Sequence, residues 1–403
     1  MYKYSHIENL IKKNINPITD SEIVHVNQSA GRYLAEDIYS LINIPPTNNS
    51  AVDGYLFNFE KLKLSKTNQF TITEELHAGD KYTESSYQLK NALKVSTGAA
   101  IPKGFDTVIM DEDFLIAGKN IILKKKDISK WMNIRKKGED IKKNKKVFTQ
   151  GHFLRPQDVA MLSALGLNKV KVTRKIIVGL LSNGNELINP GKKKEDNKIY
   201  DSNRYSLFSL LNTNSIKVLD KGIVKDDYHK IKSQISDLKN NCDLIIISGG
   251  ASSGSRDFIV KIIKEIGAIK FWKVSIKPGR PFGFGFFNKK KPILILPGNP
   301  VACFVIFFLF GKVLLNYIQG NFSYKKSFFI VKSNFSMKKK FGREEFLRGR
   351  TFVKNGIMYV NKFYKQGAGI LNSLVWSNGL IRLRSNKKII EKNSDLEFYP
   401  YER

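Results

Sequence analysis

The stretch 244–267, LIIISGGASSGSRDFIVKIIKEIG, decides the fold. Leu244–Ile247 is a short aliphatic run bounded by Gly249-Gly250, which reads as a strand. Phe258, Ile259, Ile262, Ile263 and Ile266 then recur at helical spacing, and Gly267 is a helix-stop signal. Working outward, the same alternation returns. Ile176–Leu181 reads as a buried strand, and Arg204–Leu211 as a helix with Asp201 or Ser202 as its cap. Ile216–Leu219 is a strand, and Tyr228, Ile231, Ile235 and Leu238 recur at helical spacing. Ile293–Leu296 is a strand, after which Pro297–Pro300 turns into an apolar helix from Val301. Alternating strands and helices over 173–320 predict a mostly parallel sheet covered on both faces. The flanks, roughly 43–140 and 323–403, carry more Thr, Phe, Tyr and short alternations and predict β-rich domains. The expected class is therefore α/β with β-rich flanking domains in a multidomain chain. Lys124–Lys146 reads as a solvated stretch and Lys192–Lys198 as a surface loop.

The 403 residues are 42% hydrophobic and 11% aromatic, enough for two or more cores and too apolar for global disorder. Cys242 and Cys303 cannot build a disulfide framework or a cysteine-rich zinc site, and the five histidines show no metal-ligand spacing. Met1–Asn14 lacks the apolar core of a signal peptide. The most apolar run, Val301–Phe310, is followed by Gly311-Lys312 and is too short to span a bilayer, so a cytoplasmic protein without a membrane partner is expected. The net charge is +32, but 55 of the 68 basic residues are Lys and 13 are Arg. A nucleic-acid surface concentrates Arg and aromatic residues on one element, so the excess reads as compositional and no nucleic-acid partner is expected. Some of it can serve a small anionic ligand, which the loops below favour.

In doubly wound α/β domains, ligands bind beyond the carboxyl ends of the strands. Three strand ends here carry small or glycine-rich loops: Ser182-Asn183-Gly184-Asn185-Glu186, the run Ser248–Asp257, and Pro297-Gly298-Asn299-Pro300. Glycines let backbone N–H groups approach an anion, and a following helix N-terminus favours negative charge. Glu186 and Asp257 can hold a hard divalent cation through oxygen. Lys277-Pro278-Gly279-Arg280 sets two cations around a rigid turn, suited to an oxyanion. Asp53, before Gly54, reads either as a turn-former or as a carboxylate with a role in a site. No Walker-type loop, nucleophile elbow or zinc signature is present.

These residues resemble the molybdopterin molybdenumtransferase family, which includes the E domain of gephyrin. Eleven segments carry the resemblance in family order. They are AGRYLAEDI (30–38), NNSAVDGY (48–55), STGAAIPKGFDTVIMDED (96–113), IRKKGEDI (134–141), GNELINPG (184–191) and KIYDSNRYS (198–206). SGGASSGSRDF (248–258), FWKVSIKPGRPFGFG (271–285), LPGNPVACF (296–304), GREEFLRG (342–349) and QGAGILNSL (366–374) complete the set. The resemblance implies an L-shaped homodimer of four domains: 1–42 with 147–172 (domain I), 43–146 (domain II), 173–322 (domain III, the α/β part) and 323–403 (domain IV). It implies cleavage of adenylated molybdopterin with Mg²⁺ and molybdate, release of AMP and insertion of molybdenum. It also implies a molybdopterin adenylyltransferase upstream, and molybdoenzymes or their chaperones downstream. A scaffold or tungsten-preferring member of the same family is the alternative.

Roles follow by position. The resemblance implies catalytic functions for Asp53, Thr97, Asp140, Glu186, Asp226 and Asp257, with the first three acting across the dimer. Glu186 and Asp257 would hold the metal. Gly249, Gly250 and Ser252 would cradle phosphate, Lys277, Arg280 and Arg343 would attract the oxyanion, and Pro297 and Pro300 would shape the pocket floor. The chain departs from the family at four positions. It has Asn183 and Asn185 where Thr and Asp are usual, and Ala302 and Ala368 where Ser is usual, which removes one carboxylate and two hydroxyls.

Overall fold

The computed structural model describes residues 2–81, 91–250, 258–288 and 291–401. The chain forms two compact units. One comprises Met1–Glu36, Gln150–Arg155 and Lys169–Arg403, and the other Asp37–Thr149 and Pro156–Asn168.

The α/β part of the first unit runs β1 (Ile176–Asn183), α1 (Ser202–Leu211), β2 (Ile216–Val224), α2 (Tyr228–Asn241), β3 (Leu244–Ser248) and α3 (Phe258–Ile266). It continues through β4 (Ala268–Trp272), the two-residue β5 (Ile276–Lys277), β6 (Gly283–Phe287), β7 (Lys291–Leu296) and the helix α4 (Pro300–Ile318). Six strands form one sheet in the order β2-β1-β3-β7-β6-β4. The first four are parallel, each an aliphatic run that the sequence revealed. The antiparallel pair β6 and β4 was not legible. GFGFF reads as the tail of a cationic turn, yet all five residues are buried in a strand. A Cβ on Gly283 would come within 2.5 Å of the Trp272 ring, so the glycine is a packing residue.

Alternate residues of the parallel strands face opposite layers. Val178, Leu180, Ile246 and Leu294 pack with α1, α4 and the helix Tyr4–Lys13. Leu181, Ile245, Ile247 and Ile293 pack with α2 and α3. Helix α1 begins two residues earlier than its apolar pattern, because Asp201 accepts from the Arg204 N–H at 3.1 Å and caps it. Gly267 does follow α3, but for a different reason: a Cβ there would lie 2.5 Å from the Phe286 carbonyl oxygen.

The expected ten-residue apolar run is corrected by the structure. Helix α4 spans 19 residues and continues through Gly311-Lys312, with a π-helical segment at Phe307–Gly311. A Cβ on Gly311 would strike the Phe307 ring, so this glycine lets the turn pack rather than ending it. By length and apolarity α4 is sufficient to cross a bilayer, but 83% of its apolar window is buried inside the protein.

The C-terminal strands are β8 (Phe329–Ser333), β9 (Glu344–Lys354), β10 (Ile357–Lys362), β11 (Gly379–Leu383) and β12 (Asp395–Pro400). They close into a barrel, because β9 pairs with both β10 and β11, and β8 and β12 complete the ring. Val331, Leu347, Val360, Ile381 and Phe398 fill its interior. Strand β5 adds to β9 in parallel, which ties the Lys277 turn to the barrel.

The second unit holds a six-stranded mixed sheet in which Gly54–Phe57 lies between Thr107–Met110 and Ala92–Val95. The lysine-rich stretch 124–146 is not wholly solvated. Ile134 and Ile141 are buried, and Ile134–Arg135 pairs with Asn49–Ser50.

Candidate functional site

In the first unit the chain leaves β1 for β2 on one side and returns to β3 on the other. The strand order therefore reverses between β1 and β3, the position where ligands enter such sheets. Two buried hydroxyls, Ser182 and Ser248, meet there at 2.9 Å. Just beyond them Gly249 and Gly250 have φ of +86° and +59°. A Cβ on Gly249 would collide with the Asn183 carbonyl, so only glycine fits this close approach.

Asn183 is 2% exposed. Its Nδ2 donates to the Val224 carbonyl at 3.0 Å, while its Oδ1 has no hydrogen-bond partner among the described residues and faces Gly250. Asn185 and Asp226 latch together reciprocally. The Asp226 N–H donates to Asn185 Oδ1 at 3.0 Å, and the Asn185 N–H donates to Asp226 Oδ2 at 3.3 Å. The Asn185 amide thus orders the end of β2 against the end of β1. Glu186 is exposed beside this latch, and its carbonyl accepts from the Ile199 N–H at 2.8 Å. The neighbouring Asp227 is a helix cap, accepting from the Lys230 N–H at 2.8 Å. Asp257 and Ser252 lie outside the described residues. Pro297 is buried after β7, and Pro300 opens α4 at its first turn. These strand-end donors are carboxylate and amide oxygens, and the buried Asn183 oxygen is unsatisfied. Oxygen donors of this type suit a hard cation such as Mg²⁺, though among the described residues no three carboxylate, histidine or cysteine side chains converge on one point.

A second convergence involves Arg348, which the sequence reading passed over in favour of Arg343. Arg348 is fully buried, with no carboxylate in ion-pair range among the described residues. Its Nε donates to Ser373 Oγ at 3.0 Å, and its terminal nitrogens donate to the Phe346 and Gly367 carbonyls at 3.2 Å each. Three bonds leave donors of a five-donor guanidinium to spare. Burial pushes its pKa down to about 10, so it stays cationic at neutral pH. The loop after it is pinned in place. The Gln366 side chain bonds the Arg348 backbone N–H and carbonyl at 3.0 and 3.1 Å, and the Val301 N–H of α4 donates to the Ala368 carbonyl at 3.0 Å. Gly279, at φ +113°, packs against α4, where a Cβ would strike Ile306. Arg348, Ala368, the start of α4 with buried Ala302, and the Pro278-Gly279 turn thus share one neighbourhood. The visible signal was a lone cation in the apolar run Phe346-Leu347-Arg348.

The other sequence candidates fall as follows. Lys277 is paired with buried Glu345 at 3.3 Å, and Arg280 is exposed. Arg343 is half-buried, and its carbonyl accepts from Lys339 Nζ at 3.0 Å. In the second unit Asp53 Oδ1 accepts from both the Thr97 N–H at 2.6 Å and the Thr97 hydroxyl at 3.0 Å. The Thr97 backbone bond first, then its hydroxyl, hold the Asp53 carboxyl below the ordinary value. Both residues are exposed. Asp140 is exposed on a neighbouring loop whose Ile134–Arg135 segment pairs with Asn49–Ser50.

A glycine-lined strand edge with carboxylates, beside an uncompensated buried guanidinium, defines an α/β protein built for a phosphorylated or oxyanionic ligand. Residues 3–166 match the MoeA N-terminal region (domain I and II), 179–316 a probable molybdopterin binding domain, and 331–401 the MoeA C-terminal region (domain IV). The chain is 34% identical to a molybdopterin molybdenumtransferase of Haemophilus influenzae, covering 95% of this chain and 94% of that one. It is 30% identical to one from a Nostoc species, covering 97% and 91%. It superposes on the molybdopterin biosynthesis moeA protein of Pyrococcus horikoshii with a TM-score of 0.84 at 32% identity, over 100% of both chains. The chain belongs to the molybdopterin molybdenumtransferase family.

Proposed function

We propose that this chain inserts molybdenum from molybdate into adenylated molybdopterin and releases AMP. The observation that carries the reading is Arg348, a buried cation without a carboxylate, beside the Gly367–Gly369 loop and the start of α4. An incoming oxyanion supplies the charge that this site lacks.

Gly249 and Gly250 let the backbone approach the phosphates at the β1/β3 crevice. Glu186 and Asp226, together with Asp257, would hold Mg²⁺. When bound, Mg²⁺ neutralises and polarises the phosphoanhydride. The Asn185–Asp226 latch orients the Asp226 carboxylate. Asn183 Oδ1 offers an acceptor to an N–H of the substrate, or an oxygen to the cation. Arg348 binds and orients the molybdate oxyanion, while Lys277, Arg280 and Arg343 raise its local concentration. The reading includes a cytoplasmic homodimer of the four domains in which Asp53, Thr97 and Asp140 complete the other subunit's site. It includes a molybdopterin adenylyltransferase as supplier, and molybdoenzymes or their chaperones as recipients.

The test is AMP release from adenylated molybdopterin with purified protein, Mg²⁺ and molybdate, alongside complementation of a strain lacking this step. Molybdate-dependent AMP release and restored molybdoenzyme activity are expected. Failure of both, with folded protein, overturns the reading.

A further inference from the structure

We propose that Glu345 is a positioning residue that holds Lys277 away from the Arg348 pocket, so that an entering oxyanion must win Lys277 from it. This rests on the oxyanion reading of that pocket. Strand β5 lies parallel to the start of β9 with Lys277 opposite Glu345. Lys277 Nζ is 3.3 Å from Glu345 Oε2, with side chains 53% and 5% exposed.

Alternation along β9 sets the direction of that contact. Leu347 points into the barrel core, and Glu345 shares its face. Phe346 points the other way, with its ring 5.4 Å from that of Tyr4 in the core that includes α4, and Arg348 shares that face. The ion pair therefore draws Lys277 to the side of β9 opposite Arg348.

Lys339 lies close enough to interact through space with Glu345 and Lys277, but outside ion-pair range of Glu345. Lys339 Nζ donates to the carbonyls of Lys340, Arg343, Arg384 and Lys387 at 3.0–3.2 Å, and Glu344 is taken by Arg382 at 3.0 Å. Among the described residues Lys277 is the cation in ion-pair range of Glu345. Lys277 is half exposed on a flexible stem, whereas Glu345 is buried and fixed, so the lysine is the group that moves. A dianion pulls on it about twice as strongly as a monoanion at equal distance. Glu345 thereby favours dianionic oxyanions over monoanions.

The test is calorimetric titration of the full-length protein with molybdate, and with nitrate as the monoanion probe. Glu345→Gln should bind molybdate about 2–5-fold more tightly, the range of a half-exposed ion pair, and gain relatively more for nitrate. In a Lys277→Ala background the same change should have no effect. Glu345→Asp retracts the carboxylate by one methylene and should tighten binding less. It carries the test if the Gln variant melts early. Unchanged or weaker binding in Glu345→Gln, or equal tightening without Lys277, overturns the proposal. Arg348→Ala distinguishes the two layers. Wild-type molybdate affinity in that variant removes the pocket itself, whereas strong Arg348 dependence with an inert Glu345→Gln removes only the clamp.

Discussion

Replacing Arg348 with alanine removes the one buried guanidinium that the structure leaves without a carboxylate among the described residues. The change deletes three hydrogen bonds, to Ser373 Oγ and to the Phe346 and Gly367 carbonyls. It leaves the Gln366 clamp intact, because that clamp uses only the backbone of residue 348. The 366–370 loop should therefore stay docked, and the loss should fall on anion binding. A hydrogen bond to a charged group contributes about 1.5–3 kcal/mol, which is roughly a 10- to 150-fold rise in the molybdate concentration at half-saturation. Arg348→Lys keeps the charge but loses the planar fork, and should fall between the two. The assay is AMP release against molybdate concentration at saturating adenylated pterin. Binding of that pterin without molybdate and the melting temperature are the controls. An unchanged half-saturation point in a folded Arg348→Ala protein would refute the argument, since the uncompensated charge would then have no bearing on the oxyanion.

Three further outcomes are expected. Co-expressed Asp53→Ala and Glu186→Ala chains, each inactive alone, should recover activity in mixed dimers, and proven heterodimers without activity would argue for a site within one chain. Ser at positions 302 and 368 together should lower the molybdate requirement roughly 5- to 150-fold if each restored hydroxyl adds a neutral hydrogen bond of about 0.5–1.5 kcal/mol; an unchanged requirement would show that the alanines are neutral. Burial pulls the Asp243 carboxyl upward, but the Arg174 fork, at 2.8 and 2.9 Å, and the Ile177 N–H outweigh it and hold the pKa below the ordinary value. The stabilisation is therefore present above the unfolded pKa of about 3.9 and is lost as pH falls through the lower folded value. Urea unfolding should show Asp243→Asn less stable by about 1–3 kcal/mol at pH 7 and pH 5, with the gap closing below about pH 4; a gap of constant size would contradict the ion pair.

The parallel strands and the helices beside them were legible because burial on two faces leaves an aliphatic run, and burial on one leaves a 3.6-residue stripe. Val178, Ile246 and Ile262 announce their environments by type and spacing alone. The strand-end loops were legible too, since Gly249 and Gly250 occupy backbone geometry that only glycine reaches easily. What sequence reading lacked were the long-range pairings. The antiparallel strand of GFGFF depends on Trp272 and Ala268 arriving from elsewhere, and the length of α4 on Phe307 seating against Gly311. The shape and volume fits that decide such contacts are properties of the assembled core, not of a window of residues. Arg348 and Arg343 lie five positions apart in one motif and look equivalent in sequence. Only the barrel decides that Arg348 shares the buried face of Phe346 while Arg343 sits half-buried near the strand's start, because alternation about a closed sheet sends each side chain to a different solvent.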